Sequence, residues 1–403
     1  MKAPAFAVVM CAGMPAFADP IALRADALAT TASPAGLVTV EANGDAGPGL
    51  SAEAVVWTGS GTIGDTAHAD VLVIALRART SDGRASGRVG RFVESLGALR
   101  PVQIDGAAGR LRLPYQIDVE AFGGIPVTPV LTTDGRAAPT TPFDSVARDR
   151  AWDWIVGGRI ARRIGDMGSV GVGYLQQRDD GKLASEEIGV DAGAALGKRD
   201  DVGAKLAYDL ANPGLAEASL IATHRFSELR VDLYSSYRAA SHLLPATSLF
   251  TVLGDMPAER AGTTWTWRAA PRLDVIGDLG IRHAAGDTAP AVVVRARLRL
   301  DERGTSSLAG ELRRDGVGAD QWTGARAAAR IALPHQLYAS TELELVIPDH
   351  DTGLGAVWPW GLVALGWDDG TWHGAVAGEA SASPQELHRL DVLIQLGRRW
   401  GKS

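Results

Sequence analysis

Cysteine is almost absent: the chain of 403 residues has one, Cys11. It lies inside a short apolar stretch from Ala3 to Met14, preceded by Met1-Lys2 and followed by Ala16-Phe17-Ala18. That layout is a secretory leader, residues 1–18, with an A-x-A cleavage site before Asp19. Met10 ahead of Cys11, and the shortness of the run before it, do not suit lipid attachment. The expected mature chain, 19–403, therefore lacks disulfides, thiolate metal sites and thiol nucleophiles.

Long apolar runs are missing too. Beyond the leader nothing approaches the roughly 18–20 residues that a spanning helix requires, so no helical anchor is expected. Base is not in surplus, with a formal net charge of −7. Lysines and arginines are spread along the chain without forming a stripe, which argues against a nucleic-acid partner. The phosphate-loop, Gly-x-Ser-x-Gly and His-Glu-x-x-His motifs are all absent. His224, His242, His283, His335, His373 and His388 are scattered, and none sits in a nucleophile motif. Neither catalysis nor a cofactor is expected. Asp349-His350-Asp351 has the donor types of a metal site, but three consecutive residues rarely converge on one ion, so no metal is expected either. No linker, low-complexity tract or break in composition divides 19–403, which reads as one domain.

What is present is a repeat. Segments of about ten residues alternate apolar and polar side chains and end in a Gly, Asp or Pro turn, the pattern of a strand with lipid on one side and a polar lumen on the other. In Val292 to Leu300 the apolar Val292, Val294, Ala296, Leu298 and Leu300 share one face, while Arg295, Arg297 and Arg299 share the other. A helix would scatter those arginines. Counting back from 387–398 gives about 22 such segments, within a range of 18 to 22, including 291–301, 186–197, 107–113 and a poor first one at 20–30. An even number returns both ends to one side of the membrane, which is why the first segment is accepted. The expected fold is an all-β, antiparallel, up-and-down transmembrane barrel. With strands starting almost at Asp19, no plug domain is expected.

Connections on one side are short, as at Asp368-Asp369-Gly370, Pro334-His335 and Ala270-Pro271, whereas 124–150 and 239–260 on the other are long. The short side is then periplasmic. Aromatic rings favour the two membrane boundaries. Trp152, Trp154, Trp322, Trp358 and Trp360 open strands that descend from the long-loop side, and Trp372 and Trp400 would mark the periplasmic belt.

The last segment, Leu390-Asp391-Val392-Leu393-Ile394-Gln395-Leu396, runs on to Trp400. It resembles the C-terminal assembly signal of Gram-negative outer-membrane β-barrels, and the whole mature chain resembles the porin-like superfamily in pattern. Gly401-Lys402-Ser403 after the aromatic residue depart from it. The resemblance implies residence in the bacterial outer membrane, contact with its lipid and lipopolysaccharide, and insertion by the barrel assembly machinery. It also implies a transport role.

A wide lumen needs charge merely to hold water. Arg295, Arg297 and Arg299, with Arg313 and Arg326 or Arg330 on the next two strands, could focus anions. Asp274 and Asp278 on one side and Glu311 on the other could instead neutralise them as cross-strand ion pairs, and that structural reading is preferred. Arg110 and Arg112 opposite Asp118 and Glu120 repeat the arrangement. The loop 124–150, with Asp134, Asp144 and Asp149, could fold inward or form an external crown. Two functions stay open: a passive channel for small polar or anionic solutes, or a structural or export barrel serving a periplasmic partner, as in polysaccharide secretion or surface motility.

Overall fold

The computed structural model describes residues 21–30, 35–60, 68–127, 153–239, 258–284, 286–350, 357–382 and 389–400. The leader, most of 124–150 and most of 239–260 lie outside the described residues, so the inward or outward course expected of the first long loop is untouched.

The strands are β1 (Ile21–Thr30), β2 (Ala35–Gly47), β3 (Leu50–Ser60), β4 (His68–Arg79), β5 (Ala85–Glu94), β6 (Val102–Leu113), β7 (Ile117–Pro126), β8 (Trp154–Ile164), β9 (Gly168–Asp179), β10 (Lys182–Ala195) and β11 (Asp200–Asp209). They continue as β12 (Gly214–Arg225), β13 (Leu229–Arg238), β14 (Ala258–Ala270), β15 (Leu273–Ala284), β16 (Asp287–Arg299), β17 (Ser307–Asp315), β18 (Trp322–Ala332), β19 (Leu337–Pro348), β20 (Trp358–Asp368), β21 (Trp372–Ser381) and β22 (Arg389–Trp400). All 22 belong to one sheet. Each pairs antiparallel with the next, and β22 returns to β1 with Leu23 opposite Trp400 and Ala29 opposite Ile394. Closure leaves no unpaired edge, which is what allows a sheet to sit in hydrocarbon.

The pleat sorts the side chains. Opposite partners share a face, so Glu311 beside Arg295 and Arg326 fixes one set of positions as lumen-facing. The residues between them turn outward, and Leu312 (63%), Leu343 (59%) and Val363 (66%) are exposed there. Large bare aliphatics around a closed wall form the apolar band a bilayer covers. The buried apolar cluster lies on the opposite surface, inside the barrel, and comprises Ala75, Phe92, Leu96, Leu99, Ile104, Phe122, Ile155 and Leu175.

Candidate functional site

The inward face carries charge in pairs. On β16 and β17, Arg295 Nε donates to Glu311 at 2.7 Å, and Arg313 approaches the second oxygen of the same carboxylate at 2.7 Å. Arg326 meets Glu342 at 2.6 Å and Arg299 meets Asp274 at 3.3 Å. One carboxylate thus serves two guanidinium groups, because the register sets Glu311 opposite Arg295 of β16 while Arg313, two residues on along β17, shares its face. Asp278 takes no arginine among the described residues; it accepts the Tyr234 hydroxyl at 2.8 Å and the Thr264 hydroxyl at 2.9 Å. Two cations of the cluster have no carboxylate partner among the described residues. Arg297 is exposed, and Arg330 lies over the Tyr338 ring, 4.0 Å from its centre. Both stand near the short-turn rim.

The second strip is longer than the hairpin that suggested it. Arg110 reaches Asp118 at 3.1 Å and Glu120 at 3.3 Å, and Arg112 reaches Asp118 at 3.6 Å. Glu120 also receives Arg159 of β8 at 3.2 Å, and Arg159 Nε donates to Asp191 of β10 at 2.9 Å. Arg159 and Asp191 were not singled out in the sequence, because they lie on β8 and β10 with β9 between them and only the register brings them together.

The segment joining β5 to β6 does not stay at the rim. It folds into the lumen and crosses to β8, β9 and β10. Leu99 N–H closes on Leu96 C=O at 3.0 Å, and Leu96 and Leu99 are 4% and 3% exposed within the apolar cluster. Their seat is made of missing side chains: a Cβ on Gly173 would lie 2.9 Å from Leu99 Cδ1, and one on Gly189 would lie 3.2 Å from Ala98 Cβ. Gly157 leaves the place occupied by the Phe122 ring. Gly97 turns the segment at φ +60°, a conformation that side chains resist, against Arg159 and Asp191. Beyond the apolar contact, Arg100 Nε stands 3.0 Å from Glu187, whose side chain is 2% exposed. Burying two leucines contributes roughly 1.5–3 kcal/mol each. An isolated buried carboxylate would be costly, and the arginine offsets that cost.

No family model matches the sequence, and no curated protein is similar to it. Solved structures do match over nearly the whole chain. The translocation pore of the P pilus usher PapC aligns with 95% of this chain and 99% of its own, at 9% identity and a TM-score of 0.53. A mutant of the ferric enterobactin receptor PfeA from Pseudomonas aeruginosa aligns with 94% of this chain and 80% of its own, at 8% identity and a TM-score of 0.55. The siderophore receptor PirA of the same organism gives 0.51 at 9% identity, over 95% of this chain and 81% of its own. The fold is that of a bacterial outer-membrane β-barrel.

Within the outer-membrane barrel the tryptophans divide by pleat. Trp154, Trp372 and Trp400 face outward, the side that an interfacial belt requires. Trp322, Trp358 and Trp360 face the lumen, which corrects the expectation that they belong to that belt. Arg313 stacks 5.9 Å from the Trp322 ring centre, and Trp360 Nε1 donates to Glu379 at 2.9 Å. Opening a strand near the rim sets a residue's height but not its side, and a shift of one residue reverses the side. Trp152 lies outside the described residues.

Asp349, just beyond β19, is held by Arg314 Nη1 at 2.8 Å, and that hydrogen bond keeps its carboxyl below the usual range. Asp351 is outside the described residues. Among the described residues no group of three His, Cys, Asp or Glu side chains is placed to hold a metal ion.

Proposed function

We propose that the protein is a passive outer-membrane channel for small polar solutes, with a bias toward anions. What supports this most is the inward face, a closed wall of hydrogen-bonded charge pairs that water can wet, narrowed on one side by the inward segment 95–101. Solutes would diffuse through it without cofactor, chemistry or energy input. Glu311 cancels only one of the two cations that share it, Arg295 and Arg313. The bias therefore rests chiefly on Arg297 and Arg330, the cluster's cations without a carboxylate partner among the described residues, and in smaller part on the charge left over at Glu311. A positive surplus at one rim raises the local anion concentration and weakens as salt shortens the screening length. Outer-membrane lipid, lipopolysaccharide and the assembly machinery are its proposed partners.

The test is swelling of liposomes holding the purified protein, in solutes graded by size and charge. Uptake of small anions faster than matched cations, falling off sharply with size, is the expected outcome. Liposomes that swell no faster than empty ones would sink the channel reading. A second reading, an export barrel that opens only with a periplasmic partner, gains some support from the usher pore among the structural neighbours. It expects that silent result from a folded barrel.

A further inference from the structure

The outer face carries few bare charges, and one of them sits between aromatic rings at the closing seam. Arg398 of β22 is opposite Trp372 of β21 and opposite Ala25 of β1. The pleat turns it outward with Leu396 and Trp400, whereas its neighbour Arg399 faces the lumen and pairs with Asp368 at 3.3 Å. The Arg398 guanidinium carbon lies 4.7 Å from the Trp372 ring centre and 4.9 Å from that of Trp400. It has no carboxylate partner among the described residues, and its Nε is buried without a hydrogen-bond partner. Arg399 N–H bonds to Thr371 C=O at 2.7 Å, which sets this end of β22 level with the short, periplasmic turn between β20 and β21.

A cation facing lipid without a counter-ion is unfavourable unless an anion meets it there. Tryptophans mark the headgroup level. Two rings hold the guanidinium by cation–π contact, and its planar fork of N–H donors is of the kind that matches the oxygens of a phosphate.

We propose that Arg398, Trp372 and Trp400 form a binding site for the phosphate of a phospholipid headgroup in the periplasm-facing leaflet. The site rests on the barrel's place in a membrane and not on channel activity. Arg162 of β8, opposite Ile117 and Val170, also turns outward near this rim but has no ring partner among the described residues.

Native mass spectrometry of the detergent-purified protein, titrated with phosphatidylglycerol, reads the site directly. The wild type should retain one lipid strongly. Arg398→Gln should weaken that retention about tenfold or more, the scale of losing a hydrogen bond to a charged group, and Trp372→Leu should weaken it less. Arg162→Gln should leave it unchanged. Heat-modifiable gel mobility shows that each variant is a folded barrel. Equal retention by Arg398→Gln, or an equal loss in Arg162→Gln, would overturn the proposal. So would a lower folded yield in cells with retention unchanged, which would assign Arg398 to assembly instead.

Discussion

The imidazole of His373 passes over Gly397 and meets the Asp26 carboxylate at 2.5 Å, tying β21 to β1 across the strand between them. A Cβ on Gly397 would lie 2.1 Å from the ring, so the crossing exists only because that residue is glycine. Gly397→Val should expel the ring and leave Asp26 with Arg24 as its remaining described partner. Losing a partly buried hydrogen bond at the seam should cost about 1–3 kcal/mol. The expected reading is a lower temperature for the heat-modifiable mobility shift, with His373→Ala showing a similar drop and the double variant no more than either alone.

The glycine seat gives a second expectation. Gly173→Leu places a side chain where Leu99 now packs and should displace the inward segment without touching the pairing of β9 with its neighbours. Leu99→Ala leaves the seat empty and should weaken docking by about 2–4 kcal/mol. Single-channel records should show a larger conductance for Gly173→Leu and more flicker for Leu99→Ala. Identical traces would mean that the segment does not narrow the conducting path.

Arg100 and Glu187 should behave as a pair and not as two independent residues. Glu187→Gln leaves a half-buried guanidinium without its counter-charge, a change that costs about 3–5 kcal/mol when one partner of a buried pair is removed. Replacing both by Met should recover most of the loss. The check is protease accessibility of the segment around Gly97, rising in the single variant and falling back in the double.

In the turn after β16, desolvation works to raise the Asp301 carboxyl, yet hydrogen bonds from the backbone N–H groups of Ser306 and Thr305 and from the Thr305 hydroxyl hold it down at about 2. A depressed folded-state value stabilises above the ordinary carboxylate range and is lost as pH falls through about 2. Asp301→Asn should therefore be less stable than wild type above about pH 4, with the gap closing by pH 2. A constant gap across that window would show that the charge is not responsible.

Much of this fold was legible because a barrel strand has a strict period of two and a lipid-facing side that tolerates only apolar residues. Val292 to Leu300 and Leu390 to Leu396 show both, and even 20–30, accepted on parity alone, is β1, paired on both sides. Strand starts were less legible. β6 begins at Val102, β10 at Lys182 and β16 at Asp287, each four or five residues before the sequence pattern begins; in β10 and β16 the residues near the rim are under no pressure to alternate, and in β6 the small residues Gly106 to Gly109 interrupt the alternation. The charge strips were half legible, since a pair within one hairpin can be read from spacing while Arg159 with Asp191 needs the register. The inward segment was not legible. Leu96 to Leu99 reads as an ordinary link, and its seat consists of glycines on separate strands that sequence spacing does not unite.

The proposed channel is tested most directly by reversal potential in a planar bilayer under a salt gradient, comparing wild type with the Arg297→Ser, Arg330→Ser double variant and with Arg295→Ser. Steady conductance with an anion preference that falls in the double variant, and changes less in Arg295→Ser, is the expected result. A folded barrel that conducts with no preference, or with one unaltered by removing both arginines, would contradict the proposed anion bias, and a barrel that does not conduct at all would contradict the open channel itself.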